Sequence, residues 1–180
     1  YIYTPHDMMS VHMGFREGAL DHFDTVFCVG PHAVKEIRET EKVYNLKEKT
    51  LVEFGYPLTE KLIASYEQTE KDGAAGTKKE ILIAPSWQED NLLDSCIDKL
   101  IEKLVCDEYH VTVRPHPEYV KRYPEKMELI TERYKDVPDE KLTFELDFTS
   151  NKSTYSSDLL ITDWSGIASE FCFATKKPAL

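Results

Sequence analysis

Short apolar runs, each closed by a polar turn and followed by a segment of helical period, alternate along most of this chain. That alternation constrains the fold more than any other feature. Its clearest instance is Asp158–Phe171, D-L-L-I-T-D-W-S-G-I-A-S-E-F. Leu159, Leu160 and Ile161 suit a strand buried on both faces of a parallel sheet. Thr162 to Gly166 are turn and N-cap residues, and from Ile167 the apolar positions Ile167, Ala168, Phe171 and Ala174 fall on one side of a helix. A strand, a tight polar turn and a helix start present free backbone N–H groups and a positive dipole end to an anion. Ser165 is expected to cap the helix and offer its hydroxyl, and Gly166 to let a ligand approach the backbone. An ordinary capped strand-to-helix turn has the same pattern.

The same reading along the chain gives strands at Tyr1–Tyr3, Thr25–Val29, Thr50–Phe54, Ile81–Ala84, His110–Val113, Leu142–Leu146 and Asp158–Ile161. Helices are expected at Ala33–Tyr44, with Val34, Ile37, Val43 and Tyr44 inward, at Thr59–Tyr66, at Leu92–Val105, and within Glu118–Tyr134. Strands alternating with helices indicate an α/β protein with parallel sheets and right-handed crossovers. Glu67–Lys79, with Gly73 and Gly76 among charged residues and no apolar period, reads as a linker. It divides the chain into 1–66, the C-terminal part of a first Rossmann-like unit, and 80–180, a second such unit. The chain opens without Met and stops where another strand is expected after Pro178, so both units read as incomplete.

The turns Pro85-Ser86-Trp87, Arg114–Pro117 and Thr162–Gly166 all follow strands, and so gather along the carboxyl edge of one sheet, where open α/β sheets bind ligands. Arg114 supplies a planar fork for phosphate and His116 an N–H donor, stiffened by a proline on either side. Glu170, early in the helix, suits the hydroxyls of a ribose, or is simply a solvated acid at a positive helix end. Lys176 and Lys177 either neutralise phosphate or face water. In the first segment His6, beside Asp7 after a strand and a proline, is the sharper candidate base and His12 the second; His22 reads as structural.

Composition narrows the function. The formal net charge is −11, from 22 Lys+Arg against 33 Asp+Glu, which argues against a general nucleic-acid binder and against broad docking on anionic lipid. No apolar run approaches the roughly 20 residues of a membrane span. The cysteines Cys28, Cys96, Cys106 and Cys172 have no C-x-x-C spacing and read as reduced core residues. No acidic cluster has metal-ligand spacing, so no metal and no cofactor is expected.

With these residues in place the chain resembles the CDP-glycerol glycerophosphotransferase family of teichoic-acid synthesis. The resemblance rests on V-R-P-H-P at Val113–Pro117, on the Asp158–Phe171 stretch with K-K-P after it, on I-L-I-A-P-S-W at Ile81–Trp87, and on V-E-F-G-Y-P-L at Val52–Leu58. It runs from about Tyr3 to Leu180. Gly166 stands where the family has a second Ser, Glu170 where it has Asp, and Leu58 where it has Arg.

The resemblance implies a GT-B architecture with the active site between two Rossmann-like domains. It implies a CDP-glycerol or related nucleotide-activated donor and a glycan or polyol-phosphate acceptor, in the cytoplasm, with peripheral contact to the inner membrane face through parts outside this chain. By motif, His116 contacts the donor phosphates and Thr162, Ser165 and Gly166 lie at the phosphate-binding helix start. Glu170 takes the place of an acid near the donor's sugar or polyol, and His6, followed by Asp7 where the motif has Gly, or else His12, matches the base of an H-G motif. A sugar-nucleotide glycosyltransferase or a 2-epimerase of GT-B shape, and a non-catalytic nucleotide-binding module, fit the same residues.

Overall fold

The structure is a computed structural model that describes residues 1–71 and 78–180. It divides into two compact units, Tyr1–Glu60 and Lys61–Leu180.

The first unit is a three-stranded parallel sheet in the order β1 (Ile2–Tyr3), β2 (Thr25–Cys28), β3 (Thr50–Glu53). A short helix, α1 (Val11–Gly14), capped by the Ser10 side chain, and the longer α2 (Pro31–Val43) connect the strands. Proline at the first position of α2 starts it with φ preset and no amide wasted. Ala33 and Ile37 of α2 pack with Val26 and Cys28 to form the buried centre. Val43 and Tyr44, expected inward, are instead 71% and 50% exposed. Their turn is taken by Glu41, which is buried and receives an Arg38 guanidinium N–H at 2.6 Å and the Lys49 amide at 2.8 Å. A hydropathy period cannot register an acid that is buried because its oxygens are filled.

The second unit holds a four-stranded parallel sheet in the order β6 (Leu142–Phe144), β5 (Tyr109–Val113), β4 (Lys79–Ile83), β7 (Leu159–Ile161). Ile83 pairs with both Val113 and Ile161, and Val113 with Phe144, so the strands end level. A parallel bridge between Leu160 and Ala179 extends pairing beyond β7, where a strand is expected after Pro178. Leu82, Ile83, Val111, Val113 and Leu160 are fully buried, as strands covered on both faces require.

One face of this sheet packs against α4 (Leu92–Ser95), α5 (Ile97–Leu104), α6 (Pro117–Arg122) and α7 (Pro124–Arg133) through Leu93, Ile97, Ile101, Tyr119, Met127 and Ile130. The other face packs against α9 (Ile167–Thr175), whose Phe171 meets Leu82, Ala84 and Leu160. The expected single helix over Leu92–Val105 breaks at Cys96, whose φ of −150° and ψ of 12° are not helical. The one within Glu118–Tyr134 breaks at Tyr123 because Pro124 has no N–H to give and disfavours helix in the residue before it.

The expected linker 67–79 overlaps α3 (Pro57–Lys71) at one end and β4 at the other. Its middle, 72–77, lies outside the described residues. The short helices α1 and α8 (Lys152–Ser156) fall in stretches too polar to show a period. All four cysteines are free, Cys28 buried and the others half-buried.

Phe171 and Phe173 give a test of this packing, being two positions apart on α9 but 0% and 55% exposed. Phe171→Ala is expected to destabilise the second unit by about 3–5 kcal/mol, and Phe173→Ala by no more than about 0.5 kcal/mol, in urea unfolding of the full chain followed by circular dichroism.

Candidate functional site

Because the strands of the second unit end level, their exit loops form one rim. Backbone bonds carry the pairing one residue past each strand: the Ala84 amide donates to Ile161 O at 2.9 Å, Arg114 to Ile83 O at 2.8 Å, and Glu145 to Val113 O at 2.9 Å. The residues singled out after β4, β5 and β7 therefore lie on one edge, as their spacing predicts.

His116 sits directly before α6 and caps it. Its Nδ1 accepts the Glu118 amide at 3.1 Å, so in the neutral ring the proton is on Nε2. Burial lowers its pKa below the ordinary histidine value, and the Glu118 carboxylate only partly opposes this. Protonation at Nδ1 would also set two donors face to face at a helix start. The imidazole is a neutral N–H donor at pH 7. Its ring lies 6.3 Å from that of Trp87, and the Arg122 guanidinium stacks over Trp87 at 4.7 Å.

Arg114 does not offer the free phosphate fork its position suggests. Its side chain is 10% exposed and pairs with Glu145. It also donates to Ser150 O at 2.7 Å and Asn151 Oδ1 at 3.1 Å and lies over the Phe148 ring. Hydrogen bonds to a charged group contribute roughly 1.5–3 kcal/mol each, enough to commit the guanidinium to the loop after β6. The acid that claims it stands 31 residues along the chain, which no local motif reveals.

At the turn after β7, Thr162 is likewise committed, its hydroxyl donating to Ala84 O at 2.6 Å. Ser165 does not cap α9 as expected. The N-cap is Gly166, in ordinary right-handed helical backbone, and no side chain caps the helix. The Ala168 amide turns back to Ser165 O at 3.3 Å, and no side chain takes the other amides of the first turn, the condition for an anion site at a helix start. Glu170 lies half-buried on the first turn.

Lys176 and Lys177 are elsewhere. Lys176 Nζ bonds Phe173 O at 2.8 Å, and Lys177 Nζ bonds Ser157 O at 3.0 Å, before β7 begins. Asp163, read from the sequence only as a turn residue, receives the amides of Ser86 and Leu92 on its two oxygens.

In the first unit His6 follows β1 at the carboxyl edge of its sheet. Its Nδ1 is 3.2 Å from the Tyr3 hydroxyl, its Nε2 is 3.5 Å from Asp7, and its carbonyl receives the Tyr56 hydroxyl at 2.8 Å. The side chain is 74% exposed. His12 lies on α1 and lines a cavity of about 580 Å³ with Arg16, Asp21, Thr40 and Lys49. Since 16–21 and 46–49 precede β2 and β3, that cavity is at the amino end of the sheet. His22 is exposed in the turn before β2. No group of metal-ligating side chains occurs among the described residues.

Two parallel α/β units, one carrying a helix start without a side-chain cap and a neutral histidine on its carboxyl rim, define an α/β protein with a GT-B-like fold. The chain belongs to the CDP-glycerol:poly(glycerophosphate) glycerophosphotransferase family, whose signature it matches over residues 10–180. The match leaves His6 outside and includes His12.

Among solved structures it is similar to the wall teichoic acid polymerase TagF soaked with CDPG, at 21% identity and a TM-score of 0.56 over 87% of this chain and 37% of that one. A TagF variant without that soak gives 17% and 0.57, over 87% and 38%. S. aureus MnaA with UDP gives 17% and 0.53, over 87% and 41%. The chain thus spans about two fifths of the length of these structures. No curated protein matches it.

The lowered pKa of His116 has a measurable sign. Below the unfolded value folding must expel a proton from this ring, so the stability it contributes is complete above about 6.5 and is lost as the pH falls through the folded value. His116→Asn keeps a capping oxygen without a titrating ring. The melting temperature of the native chain relative to His116→Asn is therefore expected to fall between pH 7 and pH 5 in calorimetric scans.

Proposed function

We propose that this chain is part of a transferase that moves glycerol phosphate, or another polyol phosphate, from a CDP-activated donor to a hydroxyl of a growing cell-wall polymer. The observation that carries the reading is the family match over residues 10–180, which takes in the whole rim formed by the loops after β4, β5 and β7. In this reading residues 80–180 belong to the donor domain and residues 1–66 to the acceptor side. The donor diphosphate lies at the uncapped start of α9, with the Ser165 hydroxyl beside it, Gly166 admitting it to the backbone, and His116 donating from Nε2. Glu170 faces the donor's ribose or polyol. Arg114 and Thr162 shape the rim and do not touch the phosphates.

The reaction is attack of an acceptor oxygen on the phosphorus that carries the glycerol. A new P–O bond forms, the bond to CMP breaks, and the acceptor's proton passes to a histidine of the first unit. Charge grows on the departing CMP oxygens, and prearranged donors at the α9 start and His116 meet it without reorganising. His6 is the preferred base: it follows a strand at the carboxyl edge and has Asp7 beside it, whereas His12 is turned toward the cavity at the other end of the sheet.

The reading places the enzyme in the cytoplasm. It includes peripheral contact with the inner membrane face through segments outside this chain. No described helix is long and apolar enough to cross a membrane. A second reading, a sugar-nucleotide enzyme, is supported by the likeness to MnaA with UDP.

Titrating CMP, CDP and UDP against the full protein separates the two: cytidine preference supports polyol-phosphate transfer and uridine preference the sugar-nucleotide reading. Ser165→Ala is expected to weaken CDP by about 1–2 kcal/mol, with Gly166→Val weaker still. Turnover of His6→Ala is expected to drop by roughly 10²–10⁴ with CDP affinity retained. If His12→Ala alone lost turnover, the base would be His12, and loss in neither would favour a non-catalytic nucleotide-binding module.

A further inference from the structure

The turn that leads into α9 contains an acid two residues before Ser165, an unfavourable place for a negative charge if a diphosphate binds there. Asp163 is nevertheless half-buried, and its oxygens are both used. Oδ1 receives the Ser86 amide at 2.7 Å and Oδ2 the Leu92 amide at 2.9 Å. These donors lie 77 and 71 residues away in sequence and at the two ends of one loop, Pro85–Asn91, which contains Trp87. The loop is closed internally by Asn91, 2% exposed, whose Nδ2 donates to Gln88 O at 2.7 Å and whose Oδ1 takes the Leu93 and Asp94 amides. Thr162 adds its own bond to Ala84 O. The loop therefore meets the β7–α9 turn through a carboxylate that binds both of its ends, and its Trp87 ring is the one packed beside His116.

We propose that Asp163 is a positioning residue for the donor site: it holds the Pro85–Asn91 loop to the β7–α9 turn and, through that loop, keeps Trp87 against His116. The inference rests on the proposed donor site only for its effect on ligand affinity; the hold on the loop stands on the geometry. It also explains why an acid is tolerated here, because two amides facing its oxygens offset the charge that would otherwise repel the diphosphate. Asparagine has the same shape but one acceptor oxygen. In Asp163→Asn the amide nitrogen must face a backbone N–H, and one end of the loop comes loose.

The test uses the full protein carrying Trp164→Phe, which leaves Trp87 as the sole tryptophan of the 2 in the sequence. Acrylamide quenching of Trp87 without ligand, and the CDP dissociation constant by calorimetry, are compared in this parent, in Asp163→Asn, in Asp163→Glu and in Ile130→Val. The last shortens a core side chain of the same unit and controls for general loss of stability. Asp163→Asn is expected to raise the quenching constant about twofold or more and to weaken CDP about tenfold. Asp163→Glu, which keeps two acceptors on a longer arm, is expected to fall between, and Ile130→Val to move neither quantity.

In a Trp87→Ala background Asp163→Asn is expected to add no further loss of CDP affinity, since the two act through one loop. Unchanged quenching in Asp163→Asn overturns the proposal, as does a full additional CDP loss in the Trp87→Ala background, which would mean direct action on the ligand. If the parent binds no CDP, the donor-site reading fails, and the quenching comparison still decides whether Asp163 holds the loop.

Discussion

The in-register pairing of β4 between β5 and β7 is the constraint on which the rest of the second unit depends. Ile81, Leu82 and Ile83 are paired on both sides and buried on both faces, and each such side chain contributes about 1.5–3 kcal/mol on leaving water. A register shift of one residue would send every one of them to the opposite face. The register is therefore set by burial, and with it the height at which each strand ends. The loops after Ile83, Val113, Phe144 and Ile161 emerge level because their last residues are partners in the ladder. His116, Trp87, Asp163 and the α9 start are neighbours for that reason and for no local one.

The strands were legible in the sequence, and every one expected is present within one or two residues. Period and length suffice for a run such as Leu159–Ile161, which has no way to be amphipathic and must be covered twice. The polar part of the rim was legible in identity and misread in use. Arg114 looks like a phosphate fork because it follows a strand and precedes Pro-His, and nothing nearby in sequence announces Glu145 and the carbonyl of Ser150. Ser165 looks like a cap, but the helix starts one residue later, on Gly166. Asp163 was seen only as a turn former, since its partners are backbone amides and a backbone amide leaves no trace in a sequence. The buried Glu41 escaped for the same reason. What a sequence hides here is the pairing of polar groups over long separations.

Those pairings change how an acidic chain would make room for the anion of the proposed donor. Arg114 is taken by Glu145, and Lys176 and Lys177, read as facing either phosphate or water, are bonded to carbonyls away from the rim. What the α9 start and His116 offer is dipolar: helix amides that no side chain caps and a histidine locked as an N–H donor. Dipoles of this kind are oriented before the ligand arrives and lose nothing when it leaves. They are also less screened by salt than an exposed lysine, because they act at contact distance.

A neutral histidine suits that arrangement better than a charged one. An imidazolium at the head of α6 would face the positive end of the helix and forfeit the Glu118 cap, so the fold itself opposes the proton. In the reaction we propose, the ring donates from Nε2 to an oxygen that gains charge, and as a neutral group it does not hold a phosphate so tightly that CMP is slow to depart. Catalysis gains only from contacts that strengthen toward the transition state. A donor whose attraction rises with the charge on the leaving oxygen meets that requirement, and a permanent cation bound equally well to ground state and product meets it less. The capping bond that fixes the tautomer of His116 is thus also what sets its chemistry.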